Sequence, residues 1–290
     1  MSIHGLIDNL AVGLGAKFMP KYFREGLESQ SVEENLKNVT LEMPEISGKG
    51  DYEVRASTLV GELHPAFRLV QWLGGDHPVI IYHHGASETP FDYGFNKIFP
   101  YKDKKIPANL LLIRAPFHQN MKDFQQGIRT LSNIVAMLAV SVSLIEQLVE
   151  YGRKASKSKI MVSGTSLGGF ITNLHHIHHN SADYYAPLLA GLALDDAYLR
   201  SLYSRATAPE AKENPEVIEG LLNFEEDFAA VDSGNVFPLL ATHDQLIRYE
   251  QQKASYGSCP VEIIAKGHAT GALAYGLLRS HILEVLNIEV

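Results

Sequence analysis

The chain has 290 residues, 46% hydrophobic and 20% charged, the composition of an ordinary soluble globular protein. Its formal net charge of −8 argues against a nucleic-acid binder, which usually presents a basic face. The single cysteine, Cys259, rules out a disulfide framework within the chain and fits a reducing compartment, with Cys259 itself read as a passive thiol.

The N-terminal stretch MSIHGLIDNLAVGLGAKFMP does not read as a signal peptide, because Asp8 and Asn9 interrupt its apolar run and Lys17 comes late. Residues 1–40 read as a helical preface. Strands are predicted at 52–59, 67–73 (FRLVQWL) and 79–83 (VIIYH), the last running into His83-His84-Gly85-Ala86. Lys102, Lys104 and Lys105 read as a solvated face. A strand at 109–114 (NLLLIR) precedes a helix at 130–151. Within that helix lies the longest apolar-rich run, 134–145, shorter than the ~20 residues a membrane span needs. The strand at 160–163 leads into Gly164-Thr165-Ser166-Leu167-Gly168 and a helix at 167–180. A strand at 188–194 (LLAGLAL) ends in Asp195 and Asp196. The acidic, helically patterned stretch 197–235 is too long for a structureless loop, and reads as a small lid or a longer surface connection. Strands at 237–242 (FPLLAT) and 261–264 (VEII) alternate with helices at 245–256 and 271–286. Short continuous apolar runs alternating with helices indicate an α/β fold with a largely parallel sheet; the early strands lack long helices between them, so that part is expected to be antiparallel.

G-x-S-x-G between a strand and a helix has a mechanical reading. A very sharp turn thrusts the serine above the sheet, and the flanking glycines let strand and helix pass closely. A serine hydroxyl needs a base, and the base a carboxylate. In this arrangement the order is serine, acid, histidine. Ser166, Asp244 and His268 supply it, the last two just past the ends of strands, where open α/β sheets build their sites. Asp195 or Asp196 is an alternative acid, and Asp244 has the competing reading of a helix N-cap. His243 precedes the acid, and His281 lies within the last helix, where it reads as structural. The backbone N–H groups of Ala86 and Leu167 are the candidate oxyanion donors, with His84 bracing the first of these loops.

His175 to His179 (HHIHH) puts His175 and His179 on one helical face at a spacing that can bind zinc. No H-E-x-x-H accompanies it, so polar packing or solvated histidines is the preferred reading. The sequence has neither an early-strand G-x-G-x-x-G for a dinucleotide nor a G-x-x-x-x-G-K-[ST] for a nucleoside triphosphate.

From about residue 54 to the C-terminus the chain resembles the α/β-hydrolase superfamily. The resemblance rests on HHGA at 83–86, GTSLGG at 164–169, Asp244 after the seventh strand-like run, and Gly267-His268. It departs in reading APFHQNM after the NLLLIR strand, where many members have a Gly-rich turn, and HHGA rather than HGGG. The chain, 1–290, is expected to form a single domain, and the resemblance implies an eight-stranded, mostly parallel sheet flanked by helices. It also implies an acyl-enzyme mechanism without metal or other cofactor. The expected activity is that of a cytoplasmic serine hydrolase of the carboxylesterase kind, acting on a small acyl substrate, with no nucleic-acid partner and no membrane span. Alternatives are a peptidase, thioesterase or lipid acyl hydrolase with the same triad, or a binding protein on a hydrolase scaffold.

Overall fold

In the computed structural model, which describes residues 7–9, 20–86 and 88–288, the strands in chain order are β1 (Thr40–Glu42), β2 (Gly50–Glu53), β3 (Arg55–Thr58), β4 (Gly61–Leu63), β5 (Ala66–Gln71), β6 (Val79–His83), β7 (Asn109–Arg114), β8 (Ile160–Thr165), β9 (Tyr184–Leu188), β10 (Leu239–Ala241) and β11 (Glu262–Ile264). Eight of the described strands form one sheet in the order β11-β10-β9-β8-β6-β7-β5-β2. From β11 to β7 every pairing is parallel, while β5 and β2 join antiparallel. The expected mixed, mostly parallel eight-stranded sheet is therefore present.

The continuous apolar runs have a direct structural cause. Successive strand residues point to opposite faces, and here both faces are covered. Val79 and Ile81 of β6, with Leu111 and Ile113 of β7, join a core that includes Ile134, Leu138 and Phe170. Ile80 and Tyr82, with Leu110 and Leu112, join a second core with Phe95, Ile98, Leu278 and Ile282. Helices Leu131–Ala155 and Leu167–His178 thus cover one face, and Tyr93–Ile98 and Tyr275–Val285 the other. Leu131–Ala155 extends beyond the predicted helix to 25 residues, long and apolar enough by length and composition to cross a bilayer. Yet 72% of its most apolar stretch is buried inside the protein, as befits a core helix.

Four sequence expectations are corrected. The single strand at 52–59 is two: β2 belongs to the large sheet and β3 to a small antiparallel sheet with β1 and β4, the chain switching sheets at buried Val54. The strand at 188–194 is displaced. β9 ends at Leu188, Leu189 turns away with φ 53°, and Leu194–Leu199 is helical. The helix predicted at 271–286 is two, His268–Ala272 and Tyr275–Val285. Of the helical preface, residues 7–9 and Val32–Asn38 are helical while 20–31 is irregular; residues 1–6 and 10–19 lie outside the described residues. The stretch 197–235 is a chain of short helices, Pro209–Glu213, Pro215–Leu222 and Glu225–Ala229, after a 3-10 turn at Leu202–Ala206.

β9 contains Pro187, which has no N–H to give. Tyr185 N donates to Asn235 O and Leu189 N to Leu239 O, so residue 187 would have served Phe237 O. His281 Nε2 serves it instead, at 2.8 Å. The structural reading of His281 has this physical content.

Candidate active site

β8 ends at Thr165 and the next helix begins at Leu167, so Ser166 alone makes the turn. Its backbone sits at φ 56° and ψ −114°, a conformation that costs about 1–3 kcal/mol and persists only where the surroundings impose it. Here they do. Ser166 N donates to Leu188 O at 2.8 Å, and Ser166 O accepts from Gly169 N and Phe170 N at 2.8 and 3.1 Å. Space imposes it too: a Cβ at Gly164 would stand 2.6 Å from Gly168 C, and one at Gly168 would stand 2.2 Å from His83 O. Both obstacles are backbone. Gly168→Ala is therefore expected to lower unfolding free energy by about 3 kcal/mol, read as a fall in denaturant midpoint. A midpoint unchanged from wild type would show that the helix has slack against β6.

Asp244 and His268 come to this serine from the loops beyond β10 and β11. His268 Nδ1 donates to Asp244 Oδ2 at 2.6 Å, which leaves Nε2 as acceptor for the Ser166 hydroxyl at 3.0 Å. The other Asp244 oxygen accepts from Leu246 N and Ile247 N at 2.9 and 2.8 Å. Asp244 is not a helix N-cap, since the next helix, Tyr249–Ser255, has Arg248 at that position; one oxygen fastens the main chain of its own loop and the other holds the imidazole. Burial would push the His268 pKa down, but the charge and hydrogen bond of Asp244, with the charge of Asp8, carry it above its ordinary value. Burial pushes the Asp244 carboxyl up, and the attraction of His268 pulls it back.

Asp195 and Asp196 do not reach the imidazole. They lie in the first turn of Leu194–Leu199, where Asp195 pairs with Arg200 at 3.2 Å and Asp196 with Arg248 at 2.9 Å. Burial holds the Asp195 carboxyl up at about 6.

Across from the helix, the HHGA loop is fixed by side chains. Buried His84 accepts from Ala115 N on Nε2 at 3.0 Å, so its Nδ1–H goes to Gly85 O at 2.7 Å. Desolvation keeps it neutral, as it does His83 (about 3) and His118 (about 4). Glu88, missed in the sequence, accepts from Gly85 N on one oxygen and Gly94 N on the other, each at 3.2 Å. With Gly85 N engaged, Ala86 is the next donor along the loop. Ala86 and Leu167 both line the cavity in front of Ser166 and His268.

That cavity is about 180 Å³, walled also by Phe170, Leu194, Ala197, Leu246 and Ile247, with Tyr198 and Tyr203 closing one side. The Tyr203 ring packs against Tyr198 at a tilt of 51°, and its hydroxyl shares a hydrogen bond with that of Tyr22. A larger open depression of about 740 Å³, near Arg200 and Arg248, lies behind the Asp244 loop and does not include Ser166.

The remaining sequence candidates sit elsewhere. His175 is buried beneath the sheet, lowered to about 4 by desolvation, and donates Nε2–H to Glu146 at 2.9 Å; His176 Nε2 donates to Asp232 O. Cys259 is buried with its thiol on Val236 O, and Lys102, Lys104 and Lys105 are exposed.

One carboxylate in the site was not foreseen. Asp8, fully buried, accepts from His268 N at 3.0 Å, Ala269 N at 3.0 Å and Gln245 N at 3.4 Å. The only sequence signal was an acid interrupting an apolar run.

No protein-family model matches the sequence, and no curated protein matches it. Solved structures do match. Acetyl xylan esterase 1 from Thermoanaerobacterium sp. JW/SL YS485 superposes with TM-score 0.56 at 16% identity, covering 90% of this chain and 96% of that one. The esterase Pf2001 of Pyrococcus furiosus gives 0.54 at 12% identity, covering 85% and 98%. The acylaminoacyl peptidase of Pyrococcus horikoshii gives 0.53 at 13% identity over 84% of this chain and 43% of that larger one. At such identities the likeness concerns the fold, and the chain has the α/β-hydrolase fold.

Proposed function

We propose that the protein is a serine hydrolase that cleaves carboxylic esters of short acyl groups through an acyl-enzyme. The observation that carries this reading is the hydrogen-bonded series from Ser166 to His268 to Asp244, opening on an apolar cavity. Ser166 Oγ attacks the carbonyl as His268 Nε2 takes its proton. Asp244 holds the tautomer and stabilises the imidazolium. Ala86 and Leu167 N–H groups receive the oxyanion, each worth about 2.7–4 kcal/mol in the barrier. His268 then protonates the leaving alkoxide, and a water activated by the same nitrogen releases the acid.

The preference for short acyl groups rests on volume. At about 180 Å³ the cavity is well below the ~300–1,000 Å³ of sites that enclose drug-sized ligands. A nitrophenyl ester series from acetyl to octanoyl tests this together with a fluorophosphonate probe. Labelling at Ser166 and a steep fall in kcat/KM beyond butyryl are expected. A well-folded protein that neither labels nor hydrolyses any member is a binder instead, and faster turnover of an aminoacyl anilide than of the acetate ester makes it a peptidase.

A further inference from the structure

Building on that reading, we infer that Asp8 is a positioning residue which staples the loop carrying Asp244 to the loop carrying His268, so that the N-terminal segment completes the active site. Three backbone donors converge on this one carboxylate, and they come from both loops. Gln245 N, at 3.4 Å, follows Asp244 directly; His268 N and Ala269 N, each at 3.0 Å, belong to the base itself and to its neighbour. The side chain is fully buried, so each of those N–H groups would lose its partner without finding water in exchange. The second observation is Gly267. Its φ is −89°, so its backbone conformation makes no demand for glycine. A Cβ there would instead stand 2.8 Å from Asp8 Oδ2 and 3.1 Å from Asp8 Cγ. The glycine beside the histidine makes room for the carboxylate.

The segment is anchored on its other side as well. Asn9 Oδ1 accepts from Arg205 Nη1 at 2.7 Å, in the same 3-10 turn that presents Tyr203 to the cavity. Residues 7–9 therefore touch the acid loop, the base loop and the turn that carries Tyr203.

Asp8 also adds a charge. The charged groups acting on the imidazole are Asp244, from the loop after β10, and Asp8, from the N-terminal segment; Ser166 contributes a neutral hydroxyl. Two roles follow: Asp8 fixes the ring by holding its main chain, and it favours the imidazolium that forms as the serine proton leaves. A ring displaced by a fraction of an ångström loses its line to the hydroxyl, which is worth about 10- to 100-fold in rate.

Asp8→Asn tests both. The amide keeps the size but turns an N–H₂ toward N–H donors and removes the charge. Expected for nitrophenyl acetate are a fall in kcat of about 10- to 100-fold with KM within about twofold, and an acid limb of the kcat/KM profile moved to lower pH. The sign follows from the charge: without it the imidazolium is less stable, the His268 pKa falls, and the neutral base persists into more acidic solution. Gly267→Ala is the second variant, displacing the carboxylate sterically while leaving its charge; a comparable loss of kcat is expected. It decides the matter if Asp8→Asn does not fold. A folded Asp8→Asn with kcat within twofold of wild type overturns the inference. So does a loss of kcat with an unmoved acid limb, which marks a merely structural contact, or a folded Gly267→Ala with wild-type kcat. Fluorophosphonate labelling of wild-type Ser166 separates the layers. If wild type resists the probe, the hydrolase reading falls and this inference with it; if wild type labels, the variants judge Asp8 alone.

Discussion

Ser166→Ala is expected to lower kcat for an activated ester by about a million-fold, the size of loss seen when a nucleophile acting as one unit with its base is removed. The fold should survive, because the strain at φ 56° belongs to the backbone and is imposed by the hydrogen bonds of residue 166 N and O, none of which uses the hydroxyl. What remains would be the contribution of binding and oxyanion donors, about 10³- to 10⁴-fold over water. The measurement is steady-state hydrolysis, with intact-mass detection of the fluorophosphonate adduct as a second readout. Activity retained within about tenfold in a variant that no longer labels would mean that another group does the chemistry.

The second large effect is expected from Asp244→Asn, about ten-thousand-fold in kcat near neutral pH. The argument depends on which way the new amide faces. In the native loop one oxygen is fixed by Leu246 N and Ile247 N and the other takes the proton of His268 Nδ1. An asparagine must keep its carbonyl toward the two N–H donors, so its N–H₂ faces the imidazole. A donor there makes Nδ1 the acceptor and sends the ring proton to Nε2, toward the serine oxygen, where a base is needed. The loop stays capped, so thermal stability should change little. The acid limb should move to lower pH, because the His268 pKa is held up by the Asp244 charge that the substitution removes. The same change at Asp195 or Asp196 should leave that limb in place, since their partners are Arg200 and Arg248. A loss below tenfold for Asp244→Asn would reduce the residue to a loop cap.

What could be read from the chain, and what could not, divides along physical lines. The turn at Ser166 was legible because its constraints are local: a buried strand, glycines at 164 and 168, and a helix. Asp244 and His268 were legible through chain order, since each follows a short apolar strand. Strand β9 was misplaced because its five residues open with two tyrosines and include Pro187, while the aliphatic run that resembles a strand begins only at its last residue. Whether that run stays in the sheet is decided by the backbone at Leu189, which periodicity does not encode. The break at Val54 is similar: alternation continues through it while the chain changes sheets. Asp8 lay furthest from reach. Its partners are at positions 245, 268 and 269, and no spacing rule links an acid near the start of a chain to main-chain donors near its end.

The hydrogen-bonded side chains Ser166, Asp244 and His268 stand just past the ends of β8, β10 and β11, whereas Tyr198 and Tyr203 reach the cavity from the excursion that follows β9. On the proposed reading, the groups that would do the chemistry and two aromatic walls of the cavity thereby come from different stretches of polypeptide. Shortening, lengthening or exchanging that excursion is expected to change which molecules enter and, through the Asn9–Arg205 contact, to loosen the anchoring of the segment that holds the His268 loop.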